Sequence, residues 1–194
     1  MEKLTGKNKI NVAVFISGRG SNLYNLIQFS KKKNSKINIK LIVSSKKNVK
    51  GLIYAKKNKI NKIILNYKNK LNTEKKLLKN LQKNKIKLIC LAGFMKILSG
   101  KFIKNFKGKI INIHPSLLPK YKGLNTHQRV IEKNEKYTGC TVHFVNKNLD
   151  SGKIIMQKRL KILKKDTISS LSKKLLSLEH KIYPKAIKKI IINL

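Results

Sequence analysis

Short apolar runs at residues 11–16, 37–43, 62–65, 87–92 and 109–113 alternate with polar stretches long enough to be helices. A strand that reads as an almost unbroken apolar run needs cover on both faces, and crossover helices between parallel strands supply it. The alternation therefore predicts βαβ units and an α/β fold built on a mostly parallel sheet flanked by helices. The helices are expected at 21–32, 51–59, 73–84 and 99–106, with Thr73 and Ser99 as N-caps. Beyond Pro119 the pattern changes. Residues 125–132 read as helix, 138–145 and 154–163 as strands, and 167–192 as a helix broken near Pro184. This C-terminal part is expected to carry an antiparallel element. The Asn/Lys-rich stretches 31–38 and 67–72 read as loops or solvated helix ends, and no repeat or linker interrupts the chain. With 194 residues, one domain over 1–194 is the expected organisation.

The formal charge is +40, from 47 Lys plus Arg against 7 Asp plus Glu. A net charge of that size suggests a nucleic-acid partner, but its distribution argues otherwise. Lysine is scattered through every segment among Asn and Ile, without a basic tail or a stripe interleaved with aromatics. All three residues have A/T-rich codons, so a biased genome accounts for the lysine-rich composition without selection for a polyanion. The field still favours small anionic substrates.

Cys90 and Cys140 each lie in an apolar run, the setting of a small buried hydrophobe. They form no CxxC, no metal-ligand spacing and no disulfide framework, so no metal is expected. The N-terminal apolar stretch is short and lacks a cleavage pattern, and no run is long enough to span a membrane. The expectation is a soluble, cytoplasmic protein.

Two segments stand out as chemistry. Residues 110–119 read IINIHPSLLP, and side chains two apart on a strand share a face, so Asn112 and His114 point together. Pro115 ends the strand just beyond them. With Asp150 in HFVNKNLDSG, a strand-end site could combine an amide, an imidazole and a carboxylate. After the first strand comes Ser17-Gly18-Arg19-Gly20-Ser21-Asn22, leading into a helix. Such a turn can present free N–H groups to a phosphate, or can be no more than a tight connection. It is not a dinucleotide fingerprint, since Leu23 stands where the third glycine would be, and it is not a Walker loop.

Through VAVFISGRGSNL, LAGFMKILS, INIHPSLLPKYKG, THQRVIE, GCTVHFVNKNLDSG and LEHKIYP, the chain resembles the phosphoribosylglycinamide formyltransferases, folate-dependent enzymes of purine synthesis. The likeness runs almost from end to end. It implies a Rossmann-like formyltransferase fold. It also implies a one-carbon transferase that moves a formyl group from 10-formyltetrahydrofolate, its cosubstrate, to the amine of 5-phosphoribosylglycinamide, without a metal. Formyltetrahydrofolate deformylases instead look like HHSFLP at this site, and methionyl-tRNA formyltransferases carry a further C-terminal domain. Two departures are visible. Asn125 stands where many members have His, and the chain stops soon after its last predicted helix.

Residue by residue, the resemblance implies catalysis by Asn112, His114 and Asp150. It implies nucleotide binding by Gly20, Ser21, Asn22 and Glu179, with Arg19 as an added cation. For the folate it points to Lys70, Met95, Lys96, Ile97, Leu98 and Asn112, and to the loop Asn146, Lys147, Asn148, Leu149 and Asp150. Core packing is the competing reading of Met95 to Leu98, and equally so for Ile97. His127 and His143 stay outside the catalytic set, as supporting or structural groups.

Amine attack on a formyl carbon passes through an oxyanion, which Asn112 and His114 can stabilise as donors. A carboxylate beside His114 is expected to raise its pKa and favour the imidazolium, and that is the role given to Asp150. All four histidines lie within these motifs, and of the seven acidic residues Asp150 and Glu179 stand at family motif positions. The expected partners are small molecules, with no specific nucleic acid and no membrane, acting on a monomer or homodimer. Two other readings compete: a hydrolase that releases formate to water, and a basic nucleic-acid-binding protein.

Overall fold

In the computed structural model, which describes residues 9–192, β1 (Ile10–Ile16) forms the spine of the first of two compact units. Val12 to Ile16 are completely buried, as an apolar strand covered on both faces requires. This unit extends to Ile110 and continues through α1 (Ser21–Lys31), β2 (Ile37–Ser44), α2 (Gly51–Lys57), β3 (Asn61–Ile64), α3 (Lys70–Lys83), β4 (Leu88–Leu91) and α4 (Gly100–Asn105). Its strands are parallel in the order β3-β2-β1-β4, with Ile10 opposite Ile37, Val12 opposite Leu88 and Leu41 opposite Asn61. Because β2 and β4 flank β1 on opposite sides, the chain reverses direction across the sheet at the carboxyl end of β1. That is where open α/β sheets hold their ligands. The loops after β1 and β4 both start there.

Gly20 ends the first of these loops at φ 75, a left-handed conformation. A side chain there would also place its Cβ 2.6 Å from the Cα of Gly51, so the start of α1 and the start of α2 touch backbone to backbone.

The second unit begins at Ile111, within β5 (Lys109–His114), and contains α5 (Thr126–Glu132), β6 (Tyr137–Phe144), β7 (Ile154–Lys161) and α6 (Ile168–Ile191). Its strands lie in the order β5-β6-β7 and both pairings are antiparallel. The expected antiparallel element is therefore present. Val130 of α5 packs with Leu171 and Leu175 of α6, and Tyr121, Leu160 and Ile162 close around them.

Two expectations are corrected. Thr73 does not cap α3. The helix starts at Lys70, capped by the Asn69 side chain, which accepts from the Asn72 N–H, while the Thr73 hydroxyl donates to the Asn66 carbonyl. Ser99 does cap α4, accepting from the Phe102 N–H at 3.0 Å. Nor is the last helix broken at Pro184. It runs unbroken from a capping box at Thr167 and Ser170, and Ile182, Tyr183, Ala186 and Ile187 are buried on both sides of the proline. Their burial outweighs the one backbone hydrogen bond that proline removes. The expectation of no N-terminal leader concerns a segment whose first eight residues lie outside the described ones.

Candidate active site

Strand β5 ends at His114, just before Pro115, as its sequence requires. Its antiparallel register sets Asn112 opposite His143 and His114 opposite Thr141. The turn after β6 then brings Asp150 back to the same place. Gly152 makes that return possible, since a Cβ there would lie 1.7 Å from the Phe144 carbonyl oxygen. Asp150 itself sits at φ 46, a left-handed position that aspartate tolerates better than most residues.

The result is a cluster of four side chains. His114 Nδ1 lies 3.3 Å from Asp150 Oδ2, and His143 Nε2 lies 3.6 Å from Asp150 Oδ1. The Asn112 amide is 3.3 Å from His143 Nε2 and 3.5 Å from Asp150 Oδ1. His143 Nδ1 faces the Phe144 carbonyl at 2.8 Å, which requires a ring proton there.

The loop from Pro115 to Asn125 contributes backbone to this cluster. The Tyr121 carbonyl lies 2.9 Å from His114 Nε2, and the Gly123 N–H donates to Asp150 Oδ2 at 2.9 Å. Buried hydrogen bonds hold the loop. Thr141 donates to the Ser116 carbonyl and accepts from the Leu118 N–H, and Gln157 donates to the Leu118 carbonyl. Further along, Tyr121 donates to Glu135 and Arg129 donates to the Lys122 carbonyl while lying over the Tyr121 ring. Asn125 takes a left-handed φ of 55 at the start of α5.

Electrostatics departs from the sequence reading at one point. Burial pushes the His114 imidazole below the ordinary histidine range. The Tyr121 carbonyl and Asp150 pull it up, His143 and Arg129 push it further down, and burial prevails. Asp150 has the expected sign of influence, but His114 is not a resting imidazolium near neutral pH. Both its ring nitrogens nevertheless face acceptors, so the neutral ring satisfies only one of them and the charged ring both. Burial also raises Asp150. Hydrogen bonds from His143 and the Gly123 N–H, with the charges of His114 and His143, outweigh that and hold its carboxyl below the usual range. The carboxylate therefore stays ionised.

His143 is the member of this cluster that sequence reasoning left out. Its signal was present in the alternation of TVHF, but its place depends on the cross-strand register, which no single segment encodes. His127 on α5 has a buried Nδ1 without a partner among the described residues, and burial followed by the His114 charge lowers its pKa. Glu179 is buried on α6. Together with burial, which is the larger cause, it pushes the Cys140 thiol up to about 12, and Cys140 and Cys90 are both free and buried.

The remaining predicted residues lie in two places. Asn146, Lys147, Asn148 and Leu149 form the exposed tip of the turn that leads to Asp150. In the first unit, Gly20, Ser21 and Asn22 open α1, which has no side-chain cap, and Arg19 beside them is exposed. The Ser17 hydroxyl ties that loop to the segment after β4 by accepting from the Met95 N–H at 2.8 Å. Met95 and Ile97 are exposed there, so core packing does not account for them, whereas Leu98 is buried. Lys70 is half-buried at the first position of α3.

The sequence pattern of the formyl transferase family matches residues 10–187, and the chain belongs to that family. Phosphoribosylglycinamide formyltransferase of Haemophilus influenzae is 42% identical over 180 residues, 91% of this chain and 85% of that protein. The human trifunctional purine biosynthetic protein adenosine-3 is 43% identical over 93% of this chain, which spans only 18% of that protein's length. The crystal structure of phosphoribosylglycinamide formyltransferase from Anaplasma phagocytophilum superposes with a TM-score of 0.87 at 39% identity, covering 94% of this chain and 86% of that one. The fold is that of the formyltransferases, with its parallel strands first and its antiparallel strands last.

Proposed function

We propose that this chain is a phosphoribosylglycinamide formyltransferase of purine biosynthesis, transferring a formyl group from 10-formyltetrahydrofolate to the amine of 5-phosphoribosylglycinamide. The observation that carries the reading is the meeting of Asn112, His114 and Asp150 within 3.5 Å steps, inside a formyl transferase match. Residues 1–194 act as a single catalytic domain in this reading, cytoplasmic, working on small molecules as a monomer or homodimer. No metal enters the scheme.

The nucleotide's phosphate is assigned to Gly20, Ser21 and Asn22 at the amide end of α1, with Arg19 adding charge and Glu179 binding elsewhere on the nucleotide. The folate is assigned to Lys70, Met95, Lys96, Ile97, Leu98, Asn112 and the turn Asn146 to Asp150. The glycinamide amine attacks the formyl carbon, a C–N bond forms, and the carbonyl oxygen becomes an oxyanion. The long Asn112–Asp150 contact is the one that this oxygen replaces, freeing an amide proton for it. His114 supplies a second donor by releasing the Tyr121 carbonyl, while Asp150, held by Gly123, keeps the ring oriented. The intermediate collapses as the bond to the folate nitrogen breaks. The proton lost by the amine returns to that nitrogen through His114 or water.

The test mixes purified protein with 10-formyltetrahydrofolate and follows deformylation with and without the nucleotide. Turnover only with the nucleotide, yielding formylated nucleotide, is the expected result. Formate release without it would make the chain a hydrolase. Salt-dependent nucleic-acid binding with no turnover would overturn the enzyme reading.

A further inference from the structure

Among the described residues of the first unit there is one carboxylate, Glu74, and it is only 3% exposed. It shares the buried face of α3 with Leu77 and Leu81. A buried carboxylate is costly unless its oxygens are hydrogen-bonded. Both are. Oε1 accepts the Ser99 backbone N–H at 3.0 Å, and Oε2 accepts the Ser99 hydroxyl in a still closer contact. Ser99 in turn caps α4.

Ser99 also ends the segment Met95–Leu98, whose other end is fixed where Met95 donates to Ser17 Oγ, itself 2.5 Å from Ser45 Oγ. Between these anchors Leu98 is 5% exposed, while Met95 and Ile97 are 61% and 63% exposed. Lys96 places its ammonium 5.6 Å from the centre of the Tyr67 ring, in the turn that leads into α3. Burial, and then Glu74, push the Tyr67 phenol up to about 12, so it is neutral, and its buried hydroxyl has no hydrogen-bond partner among the described residues.

We propose that Glu74 is a positioning residue for the formyl donor, locking the start of α3, which bears Lys70, to the end of the Met95–Leu98 segment. The inference rests on the folate assignment of those two segments. A carboxylate suits the task because both Ser99 groups are donors. A carboxamide has one acceptor oxygen, so Glu74→Gln turns an N–H toward one of them.

The test compares the full-length parent with Glu74→Gln, Glu74→Asp and Glu74→Gln combined with Ser99→Ala. For Glu74→Gln, KM for 10-formyltetrahydrofolate should rise about ten-fold, the scale of one lost charge-assisted hydrogen bond. KM for the nucleotide and kcat should stay within about two-fold. Glu74→Asp, which keeps two acceptors, should recover part of the loss. The combined variant should fall short of the sum of Glu74→Gln and Ser99→Ala taken singly, because Glu74 and the Ser99 hydroxyl share one interaction, although Ser99→Ala also removes the α4 cap. Equal rises in both KM values, a fall in kcat alone, or no change would overturn the proposal. Amide hydrogen exchange at Ser99 separates the two ideas. If the parent fails to transfer formyl, the proposed reaction falls. The clamp then stands if Ser99 exchanges faster in Glu74→Gln than in the parent, and falls if the two rates match.

Discussion

The two units handle charge in opposite ways. Among the described residues, the unit ending at Ile110 contains no histidine and only Glu74 as an acid. The unit from Ile111 contains His114, His127, His143 and His180 and five carboxylates, among them Asp150 and Glu179. In the first, the candidate phosphate site is made of glycine geometry and backbone amides, which do not titrate. In the second, the candidate catalytic groups are side chains whose protonation depends on one another. The contrast sets a candidate phosphate site of backbone groups in the first unit against a cluster of coupled ionisable groups in the second. Variants in the two units should therefore fail in different ways.

The largest effect is expected from His114→Ala or Asn112→Ala, each lowering kcat by about 10²–10³ through loss of one oxyanion donor. KM for the nucleotide should hardly move. Steady-state kinetics in both substrates checks this, and a nucleotide KM that rises while kcat holds would move these residues into the binding site. Asp150→Asn removes a group that raises the His114 pKa, so the acid limb of the rate profile should move to lower pH. An unmoved profile would deny Asp150 that role.

Gly20→Ala tests the other unit. Forcing a side chain into φ 75, with its Cβ 2.6 Å from Gly51, should cost about 1–3 kcal/mol in urea denaturation and raise the nucleotide KM. The shape of the pH profile should be retained, because nothing that titrates has changed.

The most gradual effect is acid sensitivity. His114, His127 and His180 all have pKa values pushed below 6.5, burial being the leading cause in each. Below that pH the unfolded chain takes up protons that the folded one resists, so stability present above it is lost as pH falls. Asp150, held below 3.8, has the same sign further into acid. Hydrogen exchange at about pH 7.5 and again at about 5.5 should show β5, which bears His114, and α5, which bears His127, loosening while β1 and β2 hold. Equal loosening of all four would erase the distinction between the units.

The parallel strands were legible because each is an apolar run, and Asn112 and His114 because a strand alternates its faces. What escaped was set by competition between local signals or by distance in the chain. Thr73 is a plausible cap, but Asn69, the last residue of the tight turn Tyr67–Asn69, took the role. Pro184 is a helix breaker outvoted by its buried neighbours. His143 joined the site through a register formed with β5. The depressed His114 pKa reflects burial, which motif spacing does not measure.

β7 has a consequence beyond catalysis. Apart from Ile155 and the half-buried Met156 and Leu160, its residues are exposed, and Lys158, Arg159 and Lys161 crowd its outer half. A strand at the end of the β5-β6-β7 order offers unpaired backbone groups to any extended chain that comes near. Here a second copy would have to bring its own lysines and arginines against these, at strand spacings of about 5 Å, inside the Debye length of physiological salt. The lysines and arginine of β7 thereby guard this edge against strand-to-strand aggregation. That protection should weaken as added salt screens it.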